Sequence, residues 1–269
     1  MMKRSLIFGL LSAVGAVLLS CGTGKVSEEA ADRCQPDDLR VDVNTGSMDV
    51  SWKRNCDRLI SGYNIYIAEA PASAVPFNST PYSGDTNPDD GVEHFTAEPL
   101  DDGKKYYVSV RIVYPDRTLS RPSDELVAVC GPRGEIELSV RYKSDRDGYS
   151  FDQNAYVPAN DLYNDIVFFS KDGRDYLDSP VRLDAFIKAN RLRKTSLRGT
   201  FDQVKGRIDQ LRDGRGEDRV NVAKGDWLHL RTPDDTNALI KVLDIYGSGV
   251  DRKIKLFFAY SPLPGEIIF

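Results

Sequence analysis

The sequence is poor in the residues that most enzyme chemistry uses. It contains two histidines, His94 and His229, far apart among 269 residues, so a histidine-based triad is not indicated. The Gly-x-Ser-x-Gly elbow, the His-Glu-x-x-His zinc motif, the phosphate-binding glycine-rich loop and the dinucleotide fingerprint are absent. Facing carboxylates for glycoside hydrolysis stay open as an alternative. We predict a protein without enzymatic activity, cofactor or metal site.

Positive charge is not in excess, which argues against a nucleic-acid partner. The formal net charge is −5, and removal of the first 20 residues, with two basic and no acidic residues, leaves −7. Residues 182–219 are nevertheless basic, with eleven basic and six acidic residues, whereas residues 34–130 have nine basic and sixteen acidic. The basic segment has two interpretations. One is contact with anionic lipid headgroups, and the other is a solvated face or docking against the acidic segment.

Long apolar runs are missing after the N-terminus, so no later segment is predicted to cross a membrane as a helix. Residues 1–20 have the pattern of a secretory signal peptide, with Lys3 and Arg4 before an apolar core from Leu6 to Leu19. That core is shorter than the roughly 20 residues that a membrane-spanning helix needs. An ordinary signal peptide ends in an Ala-x-Ala-like site, and none is present.

The end of this leader, Leu18-Leu19-Ser20-Cys21, resembles the bacterial lipobox, in which an aliphatic and a small residue precede a modified cysteine. The resemblance implies lipidation of Cys21 by a diacylglyceryl group and an amide-linked acyl chain such as palmitate. Several acyl chains anchor stably, because each buried methylene contributes about 0.8 kcal/mol. Gly22, without an acidic neighbour, resembles lipoproteins sorted to an outer membrane. We expect a lipid-anchored protein of a bacterial cell envelope, with residues 21–33 as a flexible tether.

Residues 34–131 show short runs of alternating apolar and polar residues between turn residues, which predicts a β-sandwich. This part of the chain has a characteristic set of residues, Pro36, Trp52, Gly62-Tyr63, Leu100, Tyr106 and Pro122-Ser123. With these residues, the segment from Asp37 to Gly131 resembles the fibronectin type III family.

The resemblance implies that Trp52 fills the core and that the hydroxyl of the corner residue Tyr106 bonds to nearby backbone. A ring platform for a ligand is the alternative role of both. The segment departs from the family pattern in a long insert from Ala70 to Gly91.

The same topology indicates at which end of the sandwich each cysteine lies. In a seven-strand sandwich of this family, Cys34 and Cys56 lie at one pole and Cys130 at the other, and a disulfide requires Cα atoms within about 7 Å. The resemblance therefore implies a disulfide between Cys34 and Cys56 and an unpaired Cys130.

Residues 135–269 are predicted to be a second, mostly antiparallel β domain, a sandwich or half-barrel, with one or two short helices. Two hairpins are expected from residues 227–260, and helices at 200–211 and from Ser179 to Ile187. The fold class is thus all-β, a fibronectin type III-like sandwich followed by a second β domain. The hairpins resemble those of small sandwich lipoproteins, some of which bind haem, but His229 is interpreted as a strand residue without a ligand.

Two weaker site hypotheses fall between residues 142 and 163. Asp145, Asp147, Gly148, Asp152 and Asn154 have part of the pattern of a calcium loop, although ordinary turns use the same residues. The aromatic residues Tyr142, Tyr149, Phe151, Tyr156 and Tyr163 are candidates for stacking on sugars or for the core.

We predict a non-enzymatic, lipid-anchored envelope protein that acts as a spacer and protein-interaction module. Its expected partners are the membrane, through the N-terminal acyl chains, and other envelope proteins. The alternative is a glycan-binding surface lipoprotein that uses the region from Tyr149 to Tyr163 or the insert from Ala70 to Gly91.

Overall fold

The computed structural model describes residues 34–85, 91–142, 145–205, 207, 211 and 214–269. The predicted signal peptide, Cys21 and the tether lie outside the described residues, as does the end of the insert at residues 86–90. The described chain consists of strands β1–β16 and one short helix, α1, together with short 3-10 turns. The predicted all-β fold class is confirmed.

The first six strands form a sandwich of two three-stranded antiparallel sheets, β1–β2–β4 and β3–β5–β6. Strand β5 shows why these segments are strands, because it buries every second side chain, from Tyr106 to Ile112, against the opposite sheet. The strands are β1 (Asp37–Asn44), β2 (Ser47–Lys53), β3 (Gly62–Ala68), β4 (Val92–Ala97), β5 (Lys105–Val113) and β6 (Leu126–Val129).

Trp52 and Tyr106 have the structural roles that the resemblance implies. The Trp52 side chain is fully buried and packs edge-on against the Tyr63 ring, with 5.0 Å between the ring centroids. The Tyr106 hydroxyl accepts a hydrogen bond from the backbone N–H of Asp101 at 3.0 Å. Both rings belong to the core rather than to a ligand platform.

The insert replaces the seventh strand that the family resemblance implies. Residues 70–85 contain no strand longer than the single bridge between Tyr82 and Tyr63. The insert is held instead by Asn78, whose side chain accepts from the N–H of Ile65 and donates to the carbonyl of Tyr63. Gly62 allows the backbone of Tyr82 in the insert to lie close to β3, because a Cβ atom at position 62 would lie 2.4 Å from the Tyr82 carbonyl oxygen.

The disulfide predicted between Cys34 and Cys56 is present, with the two Cα atoms 4.4 Å apart. Cys130 is buried and unpaired, and its thiol donates to the carbonyl of Ser47 at 3.4 Å. Burial raises the pKa of the Cys130 thiol to about 12, so it stays protonated at neutral pH.

Replacing both Cys34 and Cys56 with serine should lower the free energy of unfolding by about 3 kcal/mol, because the bond closes a loop of 22 residues in the unfolded chain. Urea unfolding followed by circular dichroism measures the change, with Cys130→Ser as the thiol control. A loss below about 1 kcal/mol would show that the bond does little to restrict the unfolded state.

The other ten strands form a second sandwich of two five-stranded sheets, β13–β11–β10–β8–β9 and β12–β14–β15–β16–β7. Its core lies between the sheets and includes Leu138, Phe151, Phe168, Leu228 and Ile240. The strands are β7 (Arg133–Ser139), β8 (Gly148–Ser150), β9 (Ala155–Val157), β10 (Ile166–Lys171), β11 (Arg174–Asp178), β12 (Arg191–Lys194), β13 (Arg219–Asn221), β14 (Trp227–Arg231), β15 (Asn237–Tyr246) and β16 (Lys253–Ser261).

Both predicted hairpins, β14–β15 and β15–β16, are present. Helix α1 covers only Phe201–Lys205, and the backbone N–H of Thr200 donates to the Gln203 side chain at 3.0 Å, as in one half of a capping box. Most of the remaining predicted helix lies outside the described residues. The prediction of a helix from Ser179 to Ile187 is wrong, since only one 3-10 turn forms there, Pro180–Arg182. The chain then folds back, and the backbone N–H of Val181 donates a hydrogen bond to the carbonyl of Lys188.

The two sandwiches belong to one compact unit. Gly131 lies where they meet, and a Cβ there would lie 2.4 Å from the Tyr260 carbonyl oxygen. Polar contacts cross the boundary between Arg133 and Asn44, at 3.0 Å, and between Lys105 and Glu266, at 2.6 Å. Lys205, in the basic segment, pairs with Asp42, which agrees with docking of that segment on the acidic first sandwich.

Candidate functional site

A cleft rich in arginine lies on the outer face of the second sandwich, on strands β12, β14 and β15. The inward side chains of β12 and β14, Leu192, Leu228 and Leu230, belong to the core. Because side chains alternate across a strand, Arg193 and His229 point outward together, and so do Arg191 and Arg231. The register places Arg191 opposite Arg231, and Arg193 opposite His229.

The cleft has a volume of about 690 Å³. Its rim includes Leu211 and residues 214–216 on one side, and Gly265 and Ile267 near the C-terminus. Its lining consists of Arg191, Arg193, Leu211, Gly214, Arg215, Gly216, His229, Arg231, Asp235, Asn237, Gly265 and Ile267.

The four guanidinium groups of the lining differ in their partners. Arg231 forms an ion pair with Asp235. Arg193 donates to the carbonyl of Leu211 at 2.9 Å. Within the described part of the chain, Arg191 and Arg215 have no carboxylate partner, and both are exposed. The cleft therefore has positive charge that the described residues do not neutralise.

Arg191 and Arg231 face each other directly across two strands. Like charges in this position destabilise a sheet, because the Cβ atoms of such pairs lie only about 4.5–5.5 Å apart. Asp235 pairs with one of the two, so Arg191 remains without an opposite charge among the described lining residues.

His229 and Asn237 form the buried floor of the cleft. The Nε2 atom of His229 lies 2.8 Å from the Asn237 Oδ1 atom. The Asn237 amide nitrogen donates to the carbonyls of Asp235 and Glu266, so its oxygen is the acceptor and His229 Nε2 is the donor. Burial, and then the neighbouring arginines, lower the pKa of His229, which makes the ring neutral at neutral pH.

Two glycines let the rim approach the arginines. Gly214 has φ +138°, and a Cβ there would lie 2.5 Å from the Arg193 Nη1 atom. A Cβ at Gly216 would lie 2.7 Å from the Arg191 Cβ atom. The Gly214-Arg215-Gly216 segment can thus lie close to Arg191 and Arg193, and Arg215 lines the same cleft.

A smaller cleft of about 280 Å³ on the other sheet provides a contrast. Arg219 lies over the Phe169 and Tyr176 rings, with its guanidinium carbon 4.6 and 5.1 Å from the ring centroids. This guanidinium also bonds to both oxygens of Asp178. Its charge is neutralised within the fold, whereas Arg191 has no carboxylate partner among the residues that the structure describes.

The sequence-predicted site residues lie elsewhere. Asp147 accepts from the N–H groups of Tyr142 and Ala159, and Asn154 accepts from the Tyr149 hydroxyl, so these oxygens support the fold. No cluster of His, Cys, Asp or Glu suited to a metal was found among the described residues. Tyr149 and Phe151 are core residues, whereas Tyr142 and Tyr163 are exposed. His94 lies on β4 in the first sandwich.

Sequence reasoning missed the arginine cleft, although it noted the basic excess in residues 182–219. The available signals were the Arg-x-Arg alternation at 191–193 and the Gly-Arg-Gly sequence at 214–216. The cleft also needs Arg231 and Asn237, which the sequence separates from these signals and only the β12–β14–β15 register brings close.

The described lining contains no serine, threonine or cysteine that could act as a nucleophile. Its donors are guanidinium groups, which suit binding of oxygen anions rather than bond cleavage. In the part of the chain that the structure describes, no helix has the length and apolarity to span a membrane.

Comparison with known proteins identifies one domain. The family model of the fibronectin type III domain matches residues 34–129. The comparison with curated proteins gives no match. Similar solved structures include the sixth fibronectin type III domain of human fibronectin type III domain containing protein 3. The two sequences are 12% identical, the match covers 40% of this chain and 94% of that chain, and the TM-score is 0.30.

Two larger proteins also show similarity. The twitchin kinase region from C. elegans has 14% identity and a TM-score of 0.28, covering 83% of this chain and 39% of that chain. A family 28 exopolygalacturonase from Yersinia enterocolitica has 19% identity and a TM-score of 0.26, covering 36% and 20%. These likenesses are too low to bear on function. Residues 34–129 of this chain form a fibronectin type III domain.

Proposed function

We propose that this protein is a non-enzymatic, lipid-anchored component of a bacterial cell envelope, in which the first sandwich is a spacer and protein-interaction module. The single observation that supports this most is the fibronectin type III domain at residues 34–129, which begins directly after the tether. Such domains commonly mediate protein interactions. The lipobox-like sequence before Cys21 supports the anchor.

We further propose the chain organisation that goes with this role. Residues 1–20 are the signal peptide, residues 21–33 the tether, residues 34–131 the first domain and residues 135–269 the second. Acyl chains on Cys21 hold both domains at the membrane, which we propose to be the outer membrane, and the partners are other envelope proteins. Strand β6 lies at the edge of its sheet, and its Val127 side chain is 46% exposed, which suits a contact with a partner.

Protein interaction is favoured over glycan binding by the placement of the aromatic residues. Tyr149 and Phe151 are buried, and the Tyr156 hydroxyl accepts a hydrogen bond from the backbone N–H of Glu137 at 3.0 Å. In the insert, Tyr82 packs against Trp52 and Phe95. The described aromatic residues of these two regions therefore form no common exposed platform.

The anchor is tested by changing Cys21 to serine in the full chain expressed in a bacterium. The wild type should incorporate a clickable fatty acid and enter the detergent phase, and mass spectrometry should find an acylated cysteine at the N-terminus. Cys21→Ser should abolish incorporation, because only the thiol accepts the diacylglyceryl group. Cys130→Ser is the matched control and should incorporate as the wild type does. An unmodified thiol in the wild type, or cleavage elsewhere, would contradict the proposal.

A further inference from the structure

We propose that the arginine cleft of the second sandwich binds a small soluble ligand that carries at least two oxyanion groups, phosphate or carboxylate. This inference does not depend on how the chain is anchored or on the partner of the first sandwich. It follows from the charge, the type of cation, the size and the floor of the cleft.

The charge of the described lining residues favours an anion. Arg231 forms an ion pair with Asp235. Without counting Arg193, two further arginines, Arg191 and Arg215, have no carboxylate partner among the described residues. Arg191 in addition faces Arg231 across the strands, where repulsion is strongest. A bound dianion would neutralise both uncompensated groups and remove this repulsion.

The type of cation indicates oxyanions. All the basic side chains of the described lining, His229 excepted, are arginines and none is a lysine. The planar guanidinium group matches the two oxygens of a carboxylate or phosphate with two parallel hydrogen bonds. Arg193, which donates a hydrogen bond to the Leu211 carbonyl, lines the same cleft.

The size of the cleft indicates more than a simple ion. A volume of about 690 Å³ falls in the range of small-molecule sites, about 300–1,000 Å³. Leu211 and Ile267 add an apolar wall, and the neutral His229–Asn237 pair adds a polar floor without charge. The ligand is thus expected to have an organic body with two or more oxyanion groups.

The cleft is held in place before binding. The Asn237 amide ties β15 to the carbonyl of Glu266, and the N–H of Gly265 donates to the Asp235 carbonyl at 2.9 Å. Three of the arginines project from strands, and the fourth, Arg215, lies between two glycines. A site on strands loses little entropy when it orders around a ligand, which favours affinity.

Isothermal titration calorimetry with the full chain in a mild detergent tests the proposal. The probes are inorganic pyrophosphate for the phosphate class, citrate for the carboxylate class, and acetate as a monoanion. We expect one site for pyrophosphate or citrate and much weaker binding of acetate. Added salt should weaken the binding, because ionic screening acts on exposed charges.

Arg191→Ala and Arg215→Ala should each weaken the binding by at least about tenfold, since each removes a charge-assisted hydrogen bond. Arg121→Ala, which removes the same charge from an exposed position of the first sandwich, should leave it unchanged. Thermal unfolding of each variant checks that the fold is kept. Failure of both polyanions to bind, equal affinity for acetate, or an equal loss in Arg121→Ala would overturn the proposal.

Discussion

Trp52→Ala is expected to lower the free energy of unfolding by about 3–5 kcal/mol, the usual cost of removing a large buried aromatic side chain. Trp52 is fully buried and contacts the rings of Tyr63 and Tyr82. Because domains are stable by only about 5–15 kcal/mol, the first sandwich should retain little stability. Urea unfolding followed by circular dichroism measures the effect.

The control for this prediction is Phe186→Ala, since Phe186 is 90% exposed and its loss should change stability by less than about 0.5 kcal/mol. Trp52→Phe keeps an aromatic ring in the core and should cost less than the alanine variant. If Trp52→Ala unfolded with the midpoint of the wild type, the ring would not hold the two sheets together.

Asp165→Ala should destabilise the second sandwich by a similar amount, about 3–5 kcal/mol, because it leaves a partly buried cation without its partner. The Asp165 carboxylate is 1% exposed and accepts from Lys188 Nζ at 2.9 Å, from the Phe151 N–H at 2.8 Å and from the Asn190 side chain. All three donors would lose a bond. Chemical unfolding at neutral pH measures the change, with the exposed Asp234→Ala as the control.

The pH dependence of this effect has a definite sign. Burial raises the pKa of Asp165 above its ordinary value, although Lys188 and the hydrogen bonds act against it. The native state therefore binds a proton more readily than the unfolded state, and the stability due to this group falls as the pH rises through the native pKa. The difference between the wild type and Asp165→Ala should be larger near pH 4 than at pH 7. The opposite trend would mean that Lys188 outweighs burial.

The strands of the first sandwich were predictable because their alternation is regular, as in β5, where apolar and polar residues alternate from Tyr106 to Ile112. Strand β12 was missed, because three of its four residues are charged and only Leu192 enters the core. Strand β11 was missed for a related reason. Its buried aspartates, Asp175 and Asp178, are balanced by Arg252 and Arg219 from distant parts of the chain.

The arginine cleft was not predictable, because a binding surface on a sheet depends on strand order. The order β12–β14–β15 places Arg191 beside Arg231, forty residues later in the sequence. The disulfide was predictable only because the family topology gives the poles of the first sandwich. Local patterns determine which residues are strands, whereas the site depends on contacts between distant segments.

Strand β16 has a consequence for biogenesis. It lies in the middle of its sheet, between β15 and β7, and Leu256 and Phe258 enter the core. Strand β7 must therefore wait for its partner residues Lys253 to Ala259, more than a hundred residues later, before it can join its sheet. The first sandwich has all its strands once Val129 has emerged. During synthesis, the first sandwich can thus fold early, while the second stays incomplete and exposed to proteases and chaperones until strand β16 has emerged.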